Sequence, residues 1–578
     1  MEKELTIKIG GEAGQGIVTI GNILSNLFVR GGWYVFSSQD YESRIRGGHN
    51  IFQLRASKAP MMSMSDRVDV LIALNQESVD LHLPELHEKG IVIYDGETIK
   101  APEREKGNFF GIPIDRLAKE SGGAILANTV AVAATLGLLG YEMKSLEDYL
   151  HITFRKKGEE VIRENVKAAH RGYEEAMRIS REKGNGCPFQ IKPQSVPAKM
   201  LISGNEGLAL GALAAGCKFY TGYPMTPSTG ILTYMASKAD QFGVVVEQAE
   251  DEIAAINMAI GASFAGARAM TGTSGGGFDL MTEGLSLAGM TETPVVIVLG
   301  QRPGPATGLP TRTEQGELLY TIRAGHGEFP RLVLAPGTPE QAFYLAVRAF
   351  DQAEKYQIPV IILTDQYLTD SYFSYDTSFD LENITINRYL LSEDELNHLE
   401  GDYRRHAFTE TGISPRAVPG QSSRLVMTDS DEHDQYGHII EDMETRQKEV
   451  EKRMRKLKTM EQDILPPDLY GPSEAKTMLL CWGSAWGIVH EVMNTLNEDG
   501  RDVAMVHYTH LWPFPDRETI RLLKGRDRLI SIEYNAYGQL AYLIHAQTGI
   551  AVDRKIQRTD GRPFSTGHLY ETIREVMS

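Results

Sequence analysis

Four short stretches carry side chains suited to acid–base chemistry and carboxylate binding, and each follows a short apolar run. Tyr223-Pro224-Met225-Thr226-Pro227-Ser228-Thr229 presents an aromatic ring and hydroxyls on a Pro-X-X-Pro turn. Each proline holds φ at about −65° and lacks an N–H, so Thr226 has little conformational freedom left to lose on binding a ligand. Glu247-Gln248-Ala249-Glu250-Asp251-Glu252 places four carboxylates ahead of Ile253, Ile256, Ile260 and Phe264, spaced as one helix face. A carboxylate in a water-poor place with a raised pKa carries protons, whereas acids at a helix N-terminus also offset the macrodipole. Thr271-Gly272-Thr273-Ser274-Gly275-Gly276-Gly277, with Gly261 and Gly266, permits close approach of backbone to a flat ring or to a neighbouring helix. Arg302 opens the stretch Gln301 to Thr311, and a guanidinium there can grip a carboxylate through two parallel hydrogen bonds, a surface arginine being the alternative. Arg312 is a second candidate for a distal carboxylate.

Strands and helices of an α/β fold must position these loops. Residues 1–190 open with Leu5-Thr6-Ile7-Lys8-Ile9, a period-2 strand, then Gly10 to Gly16 and an apolar helical face at Ile17, Ile20, Ile23, Leu24 and Leu27. Further strands are expected at Val68 to Leu74 and Ile91 to Tyr94, a buried helix within Gly122 to Gly140, and an amphipathic helix over Glu159 to Glu182. The stretch Lys183 to Pro188, followed by Pro193 and Pro197, reads as a linker. Residues 199–385 form a second α/β block with strands at Pro294 to Leu299, Arg331 to Leu334 and Pro359 to Leu363. Its loops fall at strand ends, where open parallel sheets gather ligands. Residues 386–472 are rich in charge and turns and end in a helix from His438 to Met460. Met443, Val450, Met454 and Leu457 are expected to dock it by one apolar stripe. Residues 473–578 are a further α/β block with strands at Lys476 to Gly483, Val503 to Val506 and Leu529 to Glu533.

The chain has 578 residues, 42% of them hydrophobic, which suits several globular domains. A net charge of −18 disfavours nucleic acid and anionic membrane surfaces as partners. Cys187, Cys217 and Cys481 stand apart without Cys-X-X-Cys spacing, so neither a disulfide framework nor a four-cysteine cluster site is expected. The charged start Glu2-Lys3-Glu4 lacks a signal-peptide apolar region, and cytoplasm is the expected compartment.

Taken together, the four loops resemble the alpha subunit of the 2-oxoacid:ferredoxin oxidoreductases, and the likeness covers nearly the whole chain. The resemblance implies an α/β multidomain fold: a gamma domain fused at residues 1–190, a pyrimidine-side thiamine diphosphate-binding domain at 199–385, a charged insertion at 386–472 and a transketolase-C-like domain at 473–578. It implies that Glu250, with Glu247 as fallback, is the carboxylate that activates the cofactor's aminopyrimidine. It also implies that Arg302, Thr226, Tyr223 and Thr311 bind substrate, and that Thr226, Pro227 and Thr271 border the cofactor. The Gly-Asp-Gly stretch that binds diphosphate and magnesium is missing, and three lone cysteines cannot hold a cluster. A beta subunit is therefore expected to carry the diphosphate site, Mg2+ and a [4Fe-4S] cluster, and no metal site is expected in this chain. Coenzyme A as cosubstrate, ferredoxin as acceptor and a dimer of alpha–beta heterodimers are implied as well. The run Gly412 to Gly420, with the loop after it, resembles the 2-oxoglutarate-type branch. That branch converts 2-oxoglutarate and coenzyme A reversibly to succinyl-coenzyme A and carbon dioxide. Pyruvate, branched-chain or aryl 2-oxoacids remain alternatives, as does a non-catalytic acyl-coenzyme A or nucleotide-binding scaffold.

The glycine run Gly10 to Gly16 is not a complete dinucleotide fingerprint, because Thr19 stands where the last glycine belongs. With Arg46-Gly47-Gly48-His49 downstream it resembles the family's gamma domain, and Gly14, Gly16, Arg46, Gly47 and His49 are expected to contact coenzyme A or a neighbouring subunit. His433 and His438, five apart in an irregular stretch, read either as a hydrogen-bonded loop or as metal ligands. Glu533-Tyr534-Asn535 with Gly538-Gln539-Leu540 reads as structural.

Overall fold

Apolar runs too short for helices, alternating with amphipathic stretches, build strands buried on both faces. The computed structural model describes residues 4–44, 47–100, 108–184, 186–376 and 378–577. The chain forms two compact units. One comprises the chain up to Ile202 with Ser371–Ser378 and Phe564–Glu571; the other comprises Ser203–Asp370, Phe379–Pro563 and the chain from Thr572.

The first unit holds an eight-stranded sheet in the order Asn108–Ile112, Leu86–Asp95, Val68–Ala73, Glu4–Ala13, Gly47–Ser57, Tyr34–Asp40, Tyr372–Tyr375 and Met200–Ser203. Glu4–Ala13 runs parallel to Val68–Ala73 and antiparallel to Gly47–Ser57, so the sheet is mixed. The nearly all-apolar helix Ala127–Leu139 is buried, with the amphipathic helix Glu159–Lys183 packed against it. Gly172 makes that approach possible, since a Cβ there would meet the Val130 carbonyl at 2.5 Å.

The second unit contains the sheet that positions the candidate site. Its order is His510–Trp512, Leu332–Leu334, Pro359–Asp365, Val295–Gln301, Ala269–Ser274, Phe219–Gly222 and Val245–Gln248. All strands are parallel except His510–Trp512, so six loops leave the sheet at one edge. Phe219–Gly222 leads outward to Val245–Gln248, and Ala269–Ser274 leads the other way to Val295–Gln301. The connections therefore diverge between neighbouring strands, which opens a crevice at their carboxyl ends. Strands cross the blocks expected from sequence: Met200–Ser203 and Tyr372–Tyr375 join the first unit's sheet, and His510–Trp512 joins this one.

A five-stranded sheet completes the second unit in the order Asp468–Tyr470, Val503–Tyr508, Thr477–Trp482, Arg528–Glu533 and Arg554–Gln557. Glu533 is buried and accepts hydrogen bonds from Trp482 Nε1 at 3.2 Å, Asn535 Nδ2 at 2.9 Å and the Leu540 amide at 2.8 Å. This motif ties a helix start to its strand and is structural.

Buried charge joins apolar contacts in holding the segment after Phe379. Glu354 binds Arg268 Nε at 2.7 Å, Arg416 Nη2 at 2.7 Å and Arg388 Nη2 at 3.0 Å. The helix expected from His438 begins at Met443, because Asp442 caps it through the Thr445 amide. Its fully buried residues are Glu449, Lys452, Arg453, Lys456 and Met460; of the expected stripe, Leu457 packs against an apolar cluster with Met460, Val450 and Met454 are half-buried, and Met443 is 88% exposed. The surface it meets presents Glu292, whose carboxylate is 2.6 Å from Lys452 Nζ, 2.5 Å from Lys456 Nζ and 3.0 Å from His406 Nδ1, all buried. Since a carboxylate only accepts, His406 donates from Nδ1 and accepts from Thr428 Oγ1 at Nε2. Burial disfavours the Glu292 anion, but the two lysines and His406 outweigh it and hold the carboxyl well below its ordinary range. The His433 ring lies against His406, tilted by 44° with ring centroids 4.0 Å apart, and donates from Nδ1 to the Asp431 carbonyl, as a hydrogen-bonded loop residue would. Glu292→Gln leaves the buried Lys456 ammonium without its counter-charge and Lys452 with Glu449 alone, so chemical denaturation should show a loss of about 3–5 kcal/mol. Met443→Ala should stay within about 0.5 kcal/mol of the parent.

Candidate functional site

Three hydrogen bonds hold the turn after Phe219–Gly222. Ser228 Oγ donates to the Met225 carbonyl at 2.9 Å, Asn205 Nδ2 to the Pro227 carbonyl at 3.2 Å, and Arg302 Nη1 to the Thr226 carbonyl at 2.9 Å. The last bond joins two of the expected site residues across the intervening strand Ala269–Ser274. Gly300 lets the turn sit close, since a Cβ there would meet the Pro227 ring at 2.9 Å. Pro227 is buried, Thr226 half-buried and Tyr223 exposed.

Beside this bridge lies a cleft of about 150 Å³ lined by Gly275, Gly276, Asp279, Arg302, Glu317 and Tyr320, with the turn Gly304 to Ala306 as its rim. Arg302 is the cation among these lining residues, and burial lowers its pKa against the opposing pull of Glu317. Burial, together with Glu314 and Asp279, pushes the Glu317 carboxyl up to about 8, although Arg302 draws it down. Burial and a hydrogen bond to Asp279 raise the Tyr320 phenol. Glu314 accepts from the Gly304 amide at 3.2 Å, and the Glu317 amide donates to Gln301 Oε1 at 3.1 Å. One guanidinium beside a carboxyl that keeps its proton near neutrality suits a small carboxylate. Sequence reading missed Asp279, Glu317 and Tyr320; Glu314 and Glu317, three apart within fifteen residues of Arg302, were the available signal.

Glu250 lies between the end of Val245–Gln248 and the next helix, exposed on the surface. Its neighbour Ala249 donates to the Gly222 carbonyl at 3.1 Å, which pins the turn to the adjacent strand. Acids open the helix as expected: Asp251 caps it by accepting from the Ala254 amide at 2.7 Å, and Glu252 stands in the first turn, buried with Oε1 unpartnered. Glu247 is an exposed strand residue in register with Thr221. Thr271 is fully buried inside its strand, and Ser274 is the hydroxyl that reaches the strand's end. Thr311 is buried later in the Arg302 loop, and the Arg312 side chain packs against Gly561. Glu250 and Arg302 leave strands three positions apart, roughly 14 Å by strand spacing.

This edge fits the ring half of thiamine diphosphate. No side chain stands within 4 Å of where a Gly276 Cβ would be, and Tyr223, Val245, Ile253 and Met258, on the elements that flank Glu250 in the chain or on the adjoining turn, are exposed apolar side chains. Carboxylates outnumber Arg302 here, which does not suit a diphosphate.

In the first unit, Glu12 pairs with His49 and Ala13 with Gly47, so the two expected glycine segments meet at one end of the sheet. Gly16 starts the helix Ile17–Arg30 with φ 84°, and a Cβ there would collide with the Asn128 amide. The Asn128 side chain thus packs on this glycine, while Gly14, Gln15, Val18 and Thr19 beside it are exposed. Gly14 has φ 95° and open space around it. His49 Nε2 lies 2.7 Å from His82 Nε2, and His82 Nδ1 lies 3.1 Å from Glu85. Arg46 lies outside the described residues.

Among known proteins, the family model described as "Pyruvate flavodoxin/ferredoxin oxidoreductase, thiamine diP-bdg" matches residues 210–452. "Pyruvate ferredoxin/flavodoxin oxidoreductase" matches residues 6–175, and "Pyruvate:ferredoxin oxidoreductase core domain II" matches 475–569. The 2-oxoacid:ferredoxin oxidoreductase subunit alpha of Sulfolobus sp is 33% identical over 98% of this chain and 96% of its own length. The 2-oxoglutarate synthase subunit KorA of Methanocaldococcus jannaschii is 34% identical over 61% of this chain and 94% of its own length. A solved structure of the 2-oxoglutarate:ferredoxin oxidoreductase from Magnetococcus marinus, with 2-oxoglutarate, coenzyme A and succinyl-CoA bound, superposes with a TM-score of 0.91 at 32% identity, covering all of both chains. Full-length identity of this order, with family models matching in all three sheet regions, means that this chain belongs to the alpha subunits of the 2-oxoacid:ferredoxin oxidoreductases.

Proposed function

We propose that this chain serves an enzyme that converts 2-oxoglutarate and coenzyme A to succinyl-coenzyme A and carbon dioxide, passing two electrons to ferredoxin, in a reversible reaction. The observation that carries the reading is the Arg302 guanidinium, bonded to the Thr226 carbonyl, in a cleft at the strand ends of the parallel sheet. Its remaining donors pair with the 2-oxoacid carboxylate. The Thr226 and Thr311 hydroxyls support that carboxylate, and Tyr223 closes the exposed side. The names of the Magnetococcus and Methanocaldococcus relatives support 2-oxoglutarate over other 2-oxoacids.

Thiamine diphosphate, when bound, supplies a nucleophilic carbon and an electron sink for decarboxylation. Glu250 would hold its pyrimidine ring and exchange a proton with it, with Thr226, Pro227 and Thr271 forming the nearby wall. A proton-exchanging carboxyl needs a water-poor setting, and Glu250 is exposed on this chain. The beta subunit completes that setting by covering Tyr223, Val245, Ile253, Met258 and Leu280, which are exposed apolar side chains. The beta subunit also carries Mg2+ and the [4Fe-4S] cluster. Burial pushes the Cys187 thiol up to about 11 and the Cys217 thiol up to about 12, which suits packing rather than cluster ligation. The sheet end formed by Gly14, Gly16, Gly47 and His49, with Arg46, contacts coenzyme A or a subunit. The assembly is a dimer of alpha–beta heterodimers in the cytoplasm; among the described residues no helix is long and apolar enough to cross a membrane.

In the assembled complex, Glu250→Ala should slow 2-oxoacid-dependent viologen reduction by about 10²–10⁴-fold. Near wild-type turnover would remove Glu250 from the reaction. Arg302→Ala should raise the KM for 2-oxoglutarate by roughly 10- to 150-fold, the worth of a hydrogen bond to a charged group. A panel of 2-oxoglutarate, pyruvate, branched-chain and aryl 2-oxoacids, scored by kcat/KM, tests the substrate; a preference for any of the others would displace 2-oxoglutarate.

A further inference from the structure

The cleft contains a carboxyl group that this reading leaves unused. Glu317 sits just before the short helix Leu318–Thr321, its backbone anchored through the Gln301 side chain. Its Oε1 lies 2.8 Å from where a Gly275 Cβ would stand, so glycine at that position makes room for the carboxyl. Its Oε2 is sealed from solvent and has no hydrogen-bond partner. A buried polar atom left unpaired costs about 1–3 kcal/mol, and a fold has no reason to keep one at a cleft wall unless something else satisfies it.

The polar neighbours do not satisfy it. Tyr320 is bonded to Asp279, Glu314 accepts from the Gly304 amide, and Arg302 donates to the Thr226 carbonyl. We propose that Glu317 is a further substrate-binding residue, donating a hydrogen bond from its carboxyl group to the anionic head of the 2-oxoacid that Arg302 pairs with. The inference rests on Arg302 being the substrate's anchor.

Charge in the cleft supports the role. The groups facing Glu317 are Glu314 on its own loop, Asp279 on the helix Gly275–Met290 and Arg302 at the end of Val295–Gln301. Burial and the two acids push its carboxyl up to about 8, so near neutrality the protonated form dominates. Only that form donates, and only that form spares an anionic substrate a further negative charge. Both effects act in one direction. Substrate binding is retained below about pH 8 and weakens as the proton leaves.

The test uses the complete complex with its beta subunit, 2-oxoglutarate and saturating coenzyme A, with methyl viologen reduction measured anaerobically from neutral to alkaline pH. In the parent enzyme the KM for 2-oxoglutarate should rise above about pH 8, approaching tenfold per pH unit as the protonated fraction falls. Glu317→Gln keeps an N–H donor without a titrating proton, so its KM should stay within about threefold at neutral pH and lose the alkaline rise. Glu317→Leu should raise KM at neutral pH by about tenfold or more, with kcat changed less. An alkaline rise that persists in Glu317→Gln, or a parental KM in Glu317→Leu, overturns the proposal. If Glu317→Leu does not fold, the Glu317→Gln profile decides alone. A parent complex that turns over no 2-oxoacid removes the reading of the site itself, whereas an active parent with a flat KM profile removes only Glu317.

Discussion

The hydrogen bond from Arg302 Nη1 to the Thr226 carbonyl joins loops that leave two strands with a third between them. It bridges the end of Ala269–Ser274, where Gly275 and Gly276 carry no side chains to fill the gap. The bridge works because every strand beneath it runs in the same direction. In a parallel sheet, loops from distant parts of the chain emerge at one edge, so the Pro-X-X-Pro turn and the arginine loop meet although 76 residues separate their bonded members. The proline turn limits what Thr226 can do, and Arg302 limits where the turn can lie.

Buried charge plays a comparable part away from the site. Glu292 gathers Lys452, Lys456 and His406, and Glu354 gathers Arg268, Arg388 and Arg416. Desolvating such groups is expensive, and they contribute little net stability compared with an apolar contact of the same size. Their effect is one of register: only one placement of the helix Met443–Met460 lets two ammonium groups reach the Glu292 carboxylate. The same surface offered an apolar stripe would accept several placements.

At the strand ends the sign of the electrostatics depends on protonation. Asp279 and Glu317 line the cleft with one guanidinium and Glu314 acts on Glu317, so a fully ionised cluster would repel an anion that pairs with Arg302. Burial resolves the conflict by keeping the Glu317 proton in place near neutrality. Glu250 leaves the sheet on the other side of the crevice and is exposed.

Much of this was legible in the amino-acid sequence. Period-2 apolar runs, glycine turns and amphipathic stretches located the strands at Val68–Ala73, Val295–Gln301, Pro359–Asp365 and Thr477–Trp482 and the helices between them, because burial on a sheet face or a helix stripe leaves a local periodic trace. The loops bearing Thr226, Glu250 and Arg302 were legible for the same reason, since each follows such a strand. The charged part of the inward face of Met443–Met460 was not: the apolar heptad pointed to Leu457, which does pack inward, but Lys452 and Lys456 are buried beside it because their partner Glu292 lies more than 150 residues away. The strands that cross between the expected blocks, the Asn128 side chain packed on Gly16, and the Glu317 carboxyl at the cleft wall were likewise decided by tertiary structure. Periodicity records which residues leave water, but the partner that a buried polar group meets is set by long-range packing, which neighbouring residues do not encode.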